Sequence, residues 1–167
     1  IQKNILIKFF SWPNYKLQII KSLRYKKLRI RKNFIFLPYE IEEENFYLNK
    51  LVKFFNSEKL DCSKFKISLH PLKKKNSVHT NFKKKIIKEL KSKCKFRKQN
   101  NNSLNIILGS PGGVATECLQ NYKSVYHITK DPFDVFCPSI WNMIKTKRVY
   151  SDIYHYRSNK NKFVLLK

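Results

Sequence analysis

The feature that most constrains the fold is an alternation of two periodicities. Four short strand-like runs stand out: Phe34-Ile35-Phe36-Leu37, Phe65-Lys66-Ile67-Ser68-Leu69, Leu104-Asn105-Ile106-Ile107-Leu108 and Ser124-Val125-Tyr126-His127-Ile128. The first is continuously apolar and suits a buried strand. Stretches of helical spacing separate the four runs. Leu48, Leu51, Val52 and Phe55 recur at three and four, as an amphipathic helix requires, and that helix is expected to end near Asn56-Ser57. The acids Glu40, Glu42, Glu43 and Glu44 precede it and suit the positive end of a helix dipole. Phe82, Ile86, Ile87 and Leu90 mark a second helix with lysines on its outer face, and Val114 to Gln120 a third. Strand–helix–strand–helix–strand–helix–strand implies an α/β fold: a parallel sheet with helices on both faces. Ligands of such sheets sit beyond the carboxyl ends of the strands. Two distinctive loops fall there, at His70-Pro71 and at Gly109-Ser110-Pro111-Gly112-Gly113.

The flanks are less regular. Ile5 to Phe10 reads as a strand, and residues 16–32 are basic, with Leu17, Ile20, Leu23 and Leu28 interleaved at near-helical spacing. Residues 1–32 are therefore expected to be a basic strand and linker, the end of a preceding N-terminal half, and residues 33–167 a domain of their own. Beyond Asp131 a short helix near Ile140 to Ile144 and one or two late strands are expected.

The net charge is +25, from 36 Lys and Arg against 11 Asp and Glu. Such a field attracts nucleic acid, anionic lipid or phosphorylated ligands. A Lys-, Ile-, Asn- and Phe-rich composition is equally what an AT-rich genome encodes, whatever the function. The runs Lys73-Lys74-Lys75 and Lys83-Lys84-Lys85 would be a nucleic-acid footprint, yet they lack the interleaved aromatics that stack bases. The four cysteines, Cys62, Cys94, Cys118 and Cys137, lie far apart with no C-x-x-C pair. Metal-ligand spacing is absent, no metal or cofactor is expected, and a reducing cytoplasm fits better than a disulfide framework. No apolar run approaches the roughly 20 residues of a membrane-spanning helix.

Two places in this frame suit chemistry. Gly112 and Gly113 let the backbone turn sharply and approach a ligand closely. The helix after them offers free N–H groups to a phosphate. Ser110 could cap that helix or bond a phosphate oxygen, and Glu117, about a turn further on, could accept bonds from ribose hydroxyls. A plain strand-to-helix turn with a solvated Glu117 explains the same residues. The loop is not G-x-G-x-x-G and has no P-loop lysine. His70, at a strand end, could donate to a phosphate or act as an acid, or could simply be exposed. His79, His127 and His155 have no spacing that recommends them, and His127 reads as a satisfied core residue. Glu40 to Glu44 could hold a general base, although a helix-start acid cluster is the commoner meaning.

Taken in order, Phe34 to Pro38, the acidic helix start, Ile67-Ser68-Leu69-His70-Pro71 and Gly109 to Leu119 resemble the C-terminal half of a GT-B-fold glycosyltransferase of bacterial surface-carbohydrate synthesis. The nearest likeness is to sialyltransferase-like and polysialyltransferase-like enzymes, over roughly residues 33–145. The resemblance implies a Rossmann-like donor-binding domain, one half of a GT-B fold. It implies that His70 contacts the phosphate of a CMP-sugar and takes part in catalysis. Ser110, Gly112, Gly113 and Thr116 would line the donor loop, and Glu117 would hold the ribose. Asp131-Pro132-Phe133 through Trp141 resembles the segment that closes over the donor. Gly112-Gly113 stands where sialyltransferases carry Ser or Thr. The implied partners are a nucleotide-sugar donor and a glycan or lipid-linked acceptor. The implied location is the cytoplasm, at the inner face of the bacterial inner membrane, where a basic surface meets anionic lipid. A nucleic-acid-binding module and a noncatalytic carbohydrate-assembly domain are the alternatives.

Overall fold

The computed structural model describes residues 33–94, 104–110, 113–120, 124–132 and 144–158. The expected strand at Ile5 to Phe10, the basic segment 16–32, and Gly112, Phe133, Ile140 and Trp141 lie outside the described residues. So do the side chains of Gly113, Thr116 and Glu117.

The expected α/β fold is present. Strands β1 (Asn33–Phe36), β2 (Phe65–Ser68), β3 (Asn105–Leu108) and β4 (Val125–Ile128) are joined through α1 (Glu44–Ser57), α2 (Ser77–Lys93) and α3 (Gly113–Gln120). A final hairpin, β5 (Ile144–Tyr150) and β6 (Ile153–Ser158), completes a six-stranded sheet of order β2-β1-β3-β4-β6-β5. The pairs β1–β2, β1–β3 and β3–β4 are parallel, whereas β4–β6 and β5–β6 are antiparallel. The sheet is thus a parallel core with an antiparallel edge. Ile144, expected in a helix, opens β5 instead.

Alternation along the strands divides the core in two. On one face Ile35, Ile106, Leu108, Ile128 and Ile153 pack under Leu51, Phe54 and Phe55 of α1 and Phe82, Ile86 and Leu90 of α2. On the other, Ile107, Val125 and Tyr156 meet Ala115, Cys118 and Leu119 of α3. All four residues of β3 are buried, because helices cover it on both sides. β2, at the sheet's edge, is nowhere fully buried.

This arrangement has a topological consequence. The chain steps from β1 outward to β2 and then back across β1 to β3, yet α1 and α2 lie on the same face. Two crossovers that step in opposite directions under one layer of helices have opposite hands. One of them is therefore left-handed, a form found in roughly 2% of parallel crossovers.

The helix boundaries follow local chemistry. Asn76 caps α2 by accepting from the His79 N–H at 3.2 Å. α1 begins at Glu44, so Glu40, Glu42 and Glu43 lie in the loop before it and not in its first turn. Each of three acids here meets a lysine from elsewhere: Glu40 with Lys73, Glu43 with Lys130 and Glu44 with Lys85. Ile87, placed on the apolar stripe by its spacing, is 37% exposed. Among the described residues no helix is long and apolar enough to cross a membrane.

Candidate functional site

The four parallel strands finish on one edge of the sheet. β1 leads into Pro38-Tyr39-Glu40, β2 into His70, β3 into Gly109-Ser110 and β4 into Thr129-Lys130-Asp131. The chain leaves β1 towards β2 but leaves β3 towards β4, so the strand order reverses between β1 and β3. Crevices in open α/β sheets form at such a point.

Gly109 sits in it. Its φ is +73°, and a methyl group on its Cα would stand 2.7 Å from Pro38 Cβ and 3.0 Å from the Tyr47 hydroxyl. Only glycine fits both the backbone angle and the contact. The residue is held from below. Its N–H donates to Ile128 O at 3.0 Å, and its carbonyl accepts from His127 Nε2. His127 Nδ1 in turn accepts from the Tyr156 hydroxyl at 3.1 Å. Burial pushes the His127 imidazole down to about 4, so the ring is neutral at pH 7. His127 is a satisfied core residue, as its place in a buried strand predicted.

His70 lies at the end of β2. Its Nδ1 accepts from the Leu72 N–H at 3.3 Å. In a neutral ring the proton then sits on Nε2, and that donor has no partner among the described residues. Tyr39 meets the His70 ring edge-on with centroids 5.0 Å apart. Lys73 Nζ lies 4.1 Å from the Tyr39 centroid and 2.9 Å from Glu40 Oε1. The hydrogen bond that Lys73 donates to Glu40 raises the Lys73 pKa. One tyrosine therefore locks the loops after β1 and β2 together. His79 anchors the same loop from beneath, its Nε2 lying 3.2 Å from Pro38 O and 3.0 Å from Tyr39 O.

Ser110 is exposed beside the crevice. β2 and β3 both flank β1, so His70 and Ser110 stand two strand spacings apart, about 10 Å. The edge thus brings His70 and Ser110 to one side of the sheet. Gly113, Thr116 and Glu117 belong to α3, which starts on that side. Cys118 of α3 packs into the core.

Sequence reasoning missed Tyr47. Its hydroxyl reaches the centre of the crevice from the first turn of α1. Burial raises its pKa, as do Glu43, Glu42 and Asp131 around it. Its position after the acidic run was the available signal, but a tyrosine on a helical stripe has no mark that separates it from core. Among the described residues no group of three or more His, Cys, Asp or Glu is placed to hold a metal ion. Comparisons with protein-family models, curated proteins and solved structures each returned no match.

Proposed function

We propose that this chain is the donor-binding half of a GT-B glycosyltransferase, taking a nucleotide-sugar such as a CMP-linked acidic sugar. The acceptor in this reading is a glycan or lipid-linked glycan of surface polysaccharide or lipooligosaccharide synthesis. The observation that carries the reading is that the Nε2–H of His70, without a partner among the described residues, lies on the same strand-end edge as Ser110, on either side of the switch point. A nucleoside phosphate spans about that distance. His70 would donate to the phosphate and stabilise it as it leaves, and Ser110 would bond a second oxygen. Gly112, Gly113, Thr116 and Glu117 would complete the loop and the ribose contact. Such a donor set stabilises the leaving phosphate with hydrogen bonds and a helix terminus, and calls for no metal. Lys73 and Lys85 are each engaged by a glutamate. Their pairing weighs against one continuous nucleic-acid surface and leaves the outer lysines for an anionic membrane.

Isothermal titration with CMP, UDP and GDP tests the reading. One nucleotide should bind at sub-millimolar concentration, and His70→Ala should weaken it about tenfold or more, while the loss of its Leu72 and Tyr39 contacts lowers the melting temperature by only a few degrees, about 1 kcal/mol. Absence of binding to all three at millimolar ligand would overturn it.

A further inference from the structure

Away from the strand-end edge, a hollow of about 350 Å³ lies between the second half of α1 and the β5–β6 hairpin. That volume is at the small end of ligand sites, about right for a single ring with a substituent. Its floor is apolar: Phe54 and Ile153 line it and are themselves buried. One wall is the Tyr150 ring, 39% exposed. The Tyr150 hydroxyl donates to Glu58 Oε1 at 2.9 Å, which fixes the ring's orientation. Lys50 closes one end, bonded to Asp152 at 2.5 Å and to the Ser151 carbonyl at 3.2 Å, so its charge is already compensated.

The remaining groups keep capacity to spare. Lys53, three residues further along α1, is exposed and has no acidic partner among the described residues. Asn56 donates its Nδ2 to Lys93 O at 3.3 Å, which leaves Oδ1 as an acceptor, and Ser57, whose hydroxyl bonds Tyr150, keeps its oxygen as an acceptor. On the hairpin, β6 carries His155 and Arg157 on the same face as Ile153, and Lys147 pairs with His155. Lys147 and Arg157 lie close enough to His155 to push its pKa down, after burial has done so first. Among the described residues two carboxylates lie beside the hollow, Asp152 bonded to Lys50 and Glu58 bonded to Tyr150, and neither meets Lys53. The local balance therefore favours an anion.

We propose that this hollow binds an acidic monosaccharide, a hydroxylated ring bearing a carboxylate or a phosphate. The C–H face of a sugar packs on an ordered aromatic ring such as Tyr150. Its hydroxyls need neutral acceptors of the kind Asn56 and Ser57 supply, and its acid group needs the free ammonium of Lys53. A flat nonpolar ligand would leave the amide, hydroxyl and ammonium unmatched. A bare inorganic anion would leave the tyrosine wall and apolar floor unused. The site stands apart from the nucleotide edge, since none of its lining residues belongs to the loops after β1, β2 or β3, and it does not depend on that reading.

Titration of the full chain with glucuronic acid, glucose 6-phosphate, glucose and inorganic phosphate, followed by calorimetry, tests it. One or both acidic sugars should saturate, with glucose and inorganic phosphate at least about tenfold weaker. The arm that saturates tells carboxylate from phosphate. Lys53→Ala, a helix-compatible change on an exposed position, should weaken the acidic sugar about tenfold or more, and Tyr150→Ala should abolish binding. Tyr150→Phe keeps the ring and should retain most of the affinity, which separates stacking from any loss of fold. His70→Ala should leave the binding unchanged. No saturation by either acidic sugar, equal binding of glucose, or loss in His70→Ala with retention in Lys53→Ala would overturn the proposal.

Discussion

Acidification from pH 7 to pH 4 is expected to destabilise this fold through His127. In an unfolded chain the imidazole titrates near 6.5, while burial under the sheet pushes it down to about 4. Between those values the unfolded chain takes up a proton that the folded one excludes. Stability is therefore fully present above pH 6.5 and is lost as pH falls towards 4. A shift of this size corresponds to about 3 kcal/mol at roughly 1.4 kcal/mol per unit. That is a large part of the roughly 5–15 kcal/mol that holds a typical domain together. The ring is also the one that ties Gly109 to Tyr156, so protonation forces a buried cation into the support of the crevice. Urea denaturation followed by far-UV circular dichroism at pH 7, 6, 5 and 4 measures the effect. His127→Gln supplies the comparison, because its amide keeps a donor for the Gly109 carbonyl and does not titrate. Both proteins retain His155, also pushed down to about 4 by burial, and the Lys50–Asp152 pair, so these contributions cancel in the difference. The wild type should lose about 3 kcal/mol more than the variant over that range. Parallel pH profiles, or an NMR titration of His127 with its midpoint above 6, would refute the reasoning.

Two further outcomes are expected. Gly109→Ala should cost roughly 2–3 kcal/mol, from the left-handed backbone and from a methyl group pressed to 2.7 Å from the rigid Pro38 ring; an unchanged thermal midpoint would show that the loop relaxes freely. Cys94, whose thiol burial and the neighbouring Cys62 push up to about 11, should react slowly with iodoacetamide at pH 7.5. Mass spectrometry that finds Cys94 alkylated as fast as a thiol in the urea-unfolded chain would contradict that.

The parallel core was legible because its strands are short apolar or alternating runs bounded by Pro38, His70-Pro71, Gly109 or a polar stretch. The faces of the helices were legible for the same reason: Leu51 and Phe55, or Phe82, Ile86 and Leu90, recur at helical spacing and are buried. His127 was readable as core from its neighbours Val125 and Ile128. The two late strands were expected, but their bounds and antiparallel pairing were not legible, because Lys145, Lys147, Arg148 and Arg157 break the apolar alternation on an edge that needs little burial, and charge on an edge strand also discourages pairing with other chains. The crossover of unusual hand was not legible either. Periodicity says which face of a helix is apolar, but not which side of the sheet it covers. At the candidate site His70 and Ser110 were visible as strand-end residues. Tyr47 and the Tyr39–Lys73 contact were not, since they arise where loops distant in sequence meet.

Among the described residues the strand that leads to His70 has one neighbour and no fully buried residue, whereas the strand that leads to Gly109 is enclosed on every side. Local opening in proteins starts at such margins, at a cost well below that of global unfolding. A molecule gripping both ends would have to wait for the margin to be in place, and once bound would hold it there. Occupancy and the solidity of the sheet's border would then be two readings of one equilibrium, with the imidazole as the hinge between them.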